Sequence, residues 1–138
     1  MELAKHVSSW SKDPSTKVGA VIANGKKLLS VGFNGFPPQI EDKEEWLNDR
    51  PTKYSQTIHA EINCFLALGN VVPPNSSLYI YPLHCCAECG KHGIASGIRR
   101  IIILLGRDST NDYWNMSGLR TQLICERAGV EYIVVNEF

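Results

Sequence analysis

An apolar run rich in β-branched residues, 18–23, and a second apolar run, 28–33, flank an Asn24-Gly25 pair, and after them helical and extended patterns alternate three times. An Asn-Gly between such runs is a strong hairpin signal, with Lys26 and Lys27 leaving the turn length open. Ahead of the hairpin, residues 2–10 read as a short helix with Leu3, Val7 and Trp10 on one side, stopped by Ser11-Lys12-Asp13-Pro14-Ser15. Beyond it, residues 34–56 are polar and rich in proline, and read as a long functional connection. Residues 58–68 return to helical spacing, with Ile58, Ile62, Phe65 and Leu66 on one face and Gly69-Asn70 closing the helix. Then come a strand at 78–81, a helix at 86–96, a strand at 100–105, a helix at 119–128 and a last strand at 130–135. A hairpin must be antiparallel, whereas strands joined by whole helices can run parallel. The expected fold is therefore α/β, with one mixed sheet carrying helices on its faces.

Composition narrows the function. The chain has 138 residues, 43% apolar and 20% charged, which suits one domain spanning residues 1–138 and excludes disorder. Fourteen Lys and Arg balance fourteen Asp and Glu, so no basic surplus points to nucleic acid. The longest purely apolar run, 101–105, is far short of the roughly 18 residues of a membrane helix. The first residues lack a basic-then-apolar signal pattern, so a cytoplasmic location is expected. Cys64, Cys85, Cys86, Cys89 and Cys125 are odd in number and clustered, which favours metal or catalytic use over a disulfide framework.

Two short motifs carry the chemistry. Cys86-Ala87-Glu88-Cys89 opens one helix and His59-Ala60-Glu61 opens another. A Cys-x-x-Cys at a helix N-terminus aims both sulfurs the same way, and the helix dipole favours thiolate. Thiolates bind zinc, and an imidazole makes three protein ligands. Three ligands leave a position for water, whose pKa falls towards about 7 on zinc. Glu61, two residues past His59, suits a proton carrier. His-x-Glu followed by Pro-Cys-x-x-Cys is the signature of zinc nucleobase deaminases.

With both motifs in hand, the chain resembles the zinc-dependent cytidine/deoxycytidylate deaminase family along almost its whole length. Ser11-Lys12-Asp13-Pro14 leading into Val18-Gly19-Ala20-Val21 is similar to an early segment of the nucleotide-specific members. Gly32-Phe33-Asn34-Gly35-Phe36-Pro37 looks like their Gly-Tyr-Asn-Gly-x-Pro loop. His59-Ala60-Glu61-Ile62-Asn63 and Cys86 to Lys91 match the zinc motifs, and Gly97-Ile98-Arg99 and Ala128-Gly129-Val130 follow in order. The resemblance implies a three-layer cytidine-deaminase-like fold with a five-stranded mixed sheet. It implies deamination of dCMP to dUMP, with Zn²⁺ on His59, Cys86 and Cys89 and with Glu61 catalytic. It also implies substrate contacts at Asn34, Ala60, Ser11, Lys12, Ser15, Thr16 and Tyr113, with the 11–17 segment (hydroxyls, Lys12, Lys17 and turn amides) at the 5′-phosphate. Such enzymes are homohexamers activated by dCTP with Mg²⁺ and inhibited by dTTP, with the effector expected around residues 32–56. Two positions depart from the pattern: Cys85, after His84, replaces the proline before the first zinc cysteine, and Asp108 stands where a nucleotide-facing Tyr is usual, with Tyr113 the substitute.

Plainer readings stand beside these. Cys86 and Cys89 alone fit a redox dithiol or half a structural zinc knuckle, and Glu61 alone fits a solvated N-terminal carboxylate. Cys64 and Cys125 read as small buried hydrophobes, His84 and His92 as polar neighbours of the site, and Trp10 and Trp114 as packing residues. Lys12 and Lys17 are equally readable as solvated lysines. Rival functions are a tRNA adenosine or free cytidine deaminase, and a non-catalytic zinc-stabilised binding module with four ligands, Cys85 among them.

Overall fold

The structure, a computed structural model, describes residues 1–107 and 112–137. Helix α1 (Glu2–Ser8) precedes the hairpin of β1 (Gly19–Asn24) and β2 (Lys27–Phe33). Two short helices, α2 (Glu44–Leu47) and α3 (Arg50–Gln56), lead to α4 (Ala60–Leu66). Then β3 (Ser76–Tyr81), α5 (Ala87–Ser96), β4 (Ile98–Leu105), α6 (Asp112–Ala128) and β5 (Glu131–Asn136) alternate. The strands form one five-stranded sheet in the order β2-β1-β3-β4-β5. β1 pairs antiparallel with both β2 and β3, whereas β3, β4 and β5 run parallel, so the sheet is mixed as expected.

Close backbone approach fixes the layers. Gly19 and Ala20 are adjacent in β1 and face opposite sides, and Ala20 stands opposite Gly32 of β2. A Cβ on Gly19 would lie 2.1 Å from the Ala4 carbonyl oxygen of α1, and one on Gly32 would lie 2.5 Å from the Ala60 carbonyl oxygen of α4. So α1 and α4 press on opposite faces, each where the strand has no side chain. Helix α5 lies beside α4 and against α6. Between the layers, Ile22, Phe65, Leu78, Ile80, Ile101 and Ile103 are fully buried.

Several sequence expectations need correction. The hairpin turn is Gly25-Lys26, closed by the Asn24–Lys27 pair, with Gly25 at φ 59° as the first turn position of a type II′ hairpin requires. The long 34–56 connection carries two short helices, α2 and α3. Helix α3 is capped by Asp49, whose side chain accepts the Thr52 N–H, and has Pro51 in its first turn. Helix α1 stops at Ser8 and buries Ala4, Val7 and Ser8, leaving Leu3 and Trp10 exposed. In α4 the buried face is Ala60, Glu61, Cys64 and Phe65, while Leu66 is 51% exposed. The glycines at 19 and 32 set these faces, because each helix must turn small atoms to its strand. Helix α6 starts at Asp112, seven residues before the expected 119. No helix among the described residues is long and apolar enough to cross a membrane.

The arrangement brings two helix starts together. Reciprocal backbone hydrogen bonds between Gly35 and Ile58, at 3.2 and 2.8 Å, pin the chain just before α4. Residues 82–86 join the end of β3 to the start of α5, and the Thr121 hydroxyl of α6 donates to the Cys85 carbonyl at 2.6 Å. Gly19→Ala is expected to destabilise the protein by about 1–3 kcal/mol in chemical denaturation, because backbone atoms cannot yield to the new methyl. Gly35→Ala, where a Cβ meets nothing within 4 Å, is the matched control and should change little.

Candidate active site

His59 and Cys86 are the N-cap residues of α4 and α5. The His59 side chain makes no cap hydrogen bond, which leaves its imidazole to face the sulfurs. Its Nδ1 lies 3.5 Å from Cys86 Sγ and 3.4 Å from Cys89 Sγ. The three ligand atoms all lie within 4.8 Å of one another. Zinc bonded tetrahedrally at about 2.3 Å to sulfur and about 2.0–2.1 Å to nitrogen holds such N and S atoms about 3.5 Å apart. The donor set therefore fits zinc in both chemistry and spacing.

The thiols of Cys86 and Cys89 shift each other in opposite directions. The hydrogen bond from Cys89 draws the Cys86 thiol down to about 4, helped by His59, although burial opposes it. Cys89 keeps its proton, held up by that same bond and by burial. The hydrogen bond to Cys86 raises the His59 pKa in turn. Glu61, buried in the first turn of α4, has its carboxyl pushed above the usual carboxylate range by burial, with His59 pulling the other way.

Cys85 does not join this group. Its sulfur is buried in the core and its thiol is pushed far up by burial. Its N–H donates to the Tyr132 hydroxyl at 3.3 Å, and the same hydroxyl meets His84 Nδ1 at 2.9 Å. Burial lowers the His84 pKa. Gly118 of α6 makes room for that ring, since a Cβ there would lie 2.5 Å from His84 Cγ. Cys64 and Cys125 are buried, as expected. His92 sits away from this group, bonded to Asn70 and tilted against Phe65.

A cavity of about 270 Å³ opens on the site, near the small end of ligand pockets, roughly 300 Å³. His59, Glu61 and Cys86 line it, as do Ser15, Thr16 and Asn34 among the expected substrate residues. The other expected contacts fall elsewhere. Ser11 is buried and donates to the Asn34 carbonyl at 2.8 Å, so it braces the loop. Lys12 points to Asp42 at 3.4 Å, Lys17 is exposed outside the lining, and Ala60 is buried without lining the cavity. Tyr113 is 73% exposed and outside the lining, which its neighbour Trp114 joins. Asp108 lies outside the described residues.

The amide of Asn34 is engaged at both ends. Its oxygen accepts the Val18 N–H at 2.8 Å and its nitrogen donates to the Thr16 carbonyl at 3.0 Å. Sequence reasoning missed the α3 wall altogether: Arg50, Lys53 and Tyr54 all line the cavity. Lys53 is only 4% exposed and bonds Asp13 and Ser15, both at 3.1 Å. The available signal was the Asp49-Arg50-Pro51-Thr52 helix start, which makes α3 a helix with a defined face.

The chain is similar to known proteins over most of its length. The cytidine and deoxycytidylate deaminase zinc-binding region matches residues 1–105. An uncharacterized deaminase of Aliivibrio fischeri is 35% identical over 134 residues, covering 94% of this chain and 86% of that one. Deoxycytidylate deaminase of Pongo abelii is 31% identical over 128 residues, covering 88% and 69%. The dCMP deaminase of cyanophage S-TIM5, solved with dCMP and dUMP, superposes with a TM-score of 0.72 at 19% identity, covering 97% of this chain and 92% of that chain.

The lowered Cys86 thiol makes a reactivity prediction. In the chelator-stripped protein, iodoacetamide should label Cys86 at a rate nearly constant from about pH 8 down to about pH 5, since a thiol held at about 4 stays ionised throughout. Cys64, pushed up to about 12 by burial, and buried Cys85 should stay unlabelled in the folded chain. Peptide mapping by mass spectrometry reads the result.

Proposed function

The chain belongs to the cytidine and deoxycytidylate deaminase zinc-binding family, and from that premise we propose that it hydrolyses dCMP to dUMP with release of ammonia, supplying dUMP for thymidylate synthesis. The observation that carries this reading is one cavity lined by two of the three metal-ligand candidates, by the buried Glu61, and by cations and hydroxyls suited to a phosphate. The similarity to deoxycytidylate deaminases supports the same substrate.

In this reading residues 1–138 act as one domain in the reducing cytoplasm, where Cys86 and Cys89 stay free to bind metal. His59, Cys86 and Cys89 would hold the zinc, which supplies Lewis acidity and lowers the pKa of water towards about 7. Glu61 takes a proton from the attacking water and delivers it to N3 of the cytosine, then assists proton transfer to the departing amine. Water adds at C4, the bond from C4 to the exocyclic nitrogen breaks, and ammonia leaves. Burial of Glu61 suits this work, because it raises the carboxyl's affinity for a proton above the ordinary carboxylate range. Asn34 shapes the wall by tying Thr16 to Val18 and contributes to orienting the nucleoside from there.

The reading extends to regulation and assembly: dCTP with Mg²⁺ as activator, dTTP as inhibitor, and a homohexamer. A second cavity of about 310 Å³, bounded by Trp10, Phe33, Phe36 and Leu47 and sharing Asp13, Asn34 and Thr57 with the first, supports an effector near residues 32–56. Exposed Ile133, Val134 and Val135 on the edge strand β5, with Leu119 and Leu123 on α6, support burial against further copies.

Ammonia release from dCMP, cytidine and dCTP, with and without dCTP or dTTP as effectors, tests the function. Preference for dCMP is expected, and Glu61→Gln should lower turnover by about 10²–10⁴-fold while keeping zinc and fold. A Glu61→Gln protein with undiminished function would point to a zinc-stabilised binding module.

A further inference from the structure

The segment between β3 and α5 carries a hydrogen-bond chain that the proposed reaction leaves unused. The Cys85 N–H donates to the Tyr132 hydroxyl of β5 at 3.3 Å, and that hydroxyl meets His84 Nδ1 at 2.9 Å. Helix α6 backs the imidazole closely, since a Cβ on Gly118 would lie 2.5 Å from both Cγ and Nδ1 of His84. The ring is thus held from two sides.

Counting protons along the chain fixes the tautomer. An amide N–H can only donate, so the Tyr132 oxygen accepts from Cys85, and its own proton must go elsewhere. Among the described residues the only acceptor bonded to that hydroxyl is His84 Nδ1. Nδ1 therefore accepts, and the imidazole carries its proton on Nε2. A proline at position 85 would have no N–H to give; Cys85 has one, and this turns the Tyr132 proton onto His84. Nε2 has no partner among the described residues, while the half-buried ring lines the cavity beside Leu83, Cys86 and Trp114. An N–H so placed calls for an acceptor on a bound ligand.

His84 stands two residues before Cys86, at the metal end of the cavity, where the proposed reaction puts C4 of the pyrimidine. Cytosine offers a donor at C4, because its amino nitrogen delocalises its lone pair into the ring. The oxygen that replaces it is an acceptor with two lone pairs. We propose that His84 Nε2–H donates to the oxygen added at C4, as the amine departs and in the 4-oxo product, with Tyr132 the positioning residue that keeps the proton on Nε2. This rests on the dCMP reading. His84 transfers no proton and leaves that work to Glu61. Its bond forms only after the substrate has bound, so it raises turnover and leaves substrate affinity alone.

The experiment pairs steady-state ammonia release from dCMP with calorimetric binding of dUMP to the zinc-loaded protein. His84→Asn keeps an amide oxygen near the place of Nδ1, as acceptor for Tyr132, but has no donor at the place of Nε2. His84→Gln restores an amide N–H there. His84→Asn should lower kcat about tenfold with KM for dCMP unchanged, and weaken dUMP about tenfold, while His84→Gln recovers most of both. Nitrogen-15 NMR of the imidazole should show the Nε2–H tautomer in the wild type and a mixture in Tyr132→Phe, whose kcat falls several-fold. A purely structural role gives the reverse order, with His84→Asn active and His84→Gln impaired, and would overturn the proposal. An Nδ1–H tautomer in the wild type would overturn the role of Tyr132. A wild type that releases no ammonia from dCMP would overturn the proposed reaction. Weakened dUMP binding in His84→Asn would then still support the donor, and unchanged binding would overturn it.

Discussion

The meeting of His59 Nδ1 with the sulfurs of Cys86 and Cys89, at 3.5 and 3.4 Å, is the contact on which the site depends. Neither motif makes it alone. It requires α4 and α5 to lie on one face of the sheet with their N-termini adjacent. That requires Gly32, because any side chain there would drive α4 off β2 and β1. The Gly35–Ile58 bridge and the Thr121 bond to the Cys85 carbonyl then hold each helix start in place. The helix ends also supply the electrostatics, since N-terminal N–H groups favour the thiolate and the buried Glu61 lies two residues past His59 in the first turn of α4.

Around that contact the cavity is shaped by a second layer that is itself fixed by charge. The Lys53–Asp13 pair is almost fully buried, and such pairs stabilise little by themselves, although breaking one is costly. Its effect here is geometric. Asp13 gathers two backbone N–H groups and a lysine on one oxygen, and so sets the turn that forms one side of the cavity. Asn34 fastens the far end of the same turn. The wall is thus held by side chains from three separate segments of the chain.

The legible and the hidden parts differ for physical reasons. The hairpin and the alternating helices and strands were readable because β-branched runs, an Asn-Gly and Gly-capped helices are local signals. The meeting of His59 with Cys86 and Cys89 was foreseeable because the His-x-Glu and Cys-x-x-Cys spacings at helix starts are local too. Helix α3 was hidden behind proline and charge, although Asp49 and Pro51 in fact start it. Lys53 could not be read as buried, since lysine is buried only when a distant carboxylate meets it, and Asp13 lies 40 residues away. The helix faces were misjudged at Leu3 and Leu66 because glycines on β1 and β2 demanded small residues where periodicity suggested large ones, and Trp10 lies beyond the end of α1.

In the proposed function, His59, Cys86 and Cys89 would hold zinc as three protein ligands and leave one position for water. X-ray absorption at the zinc edge tests it directly on protein purified with one zinc per chain. The account predicts two sulfurs at about 2.3 Å, with one nitrogen and one non-protein oxygen at about 2.0–2.1 Å. A third sulfur, which would mean that Cys85 had left the core to close the site, would contradict it.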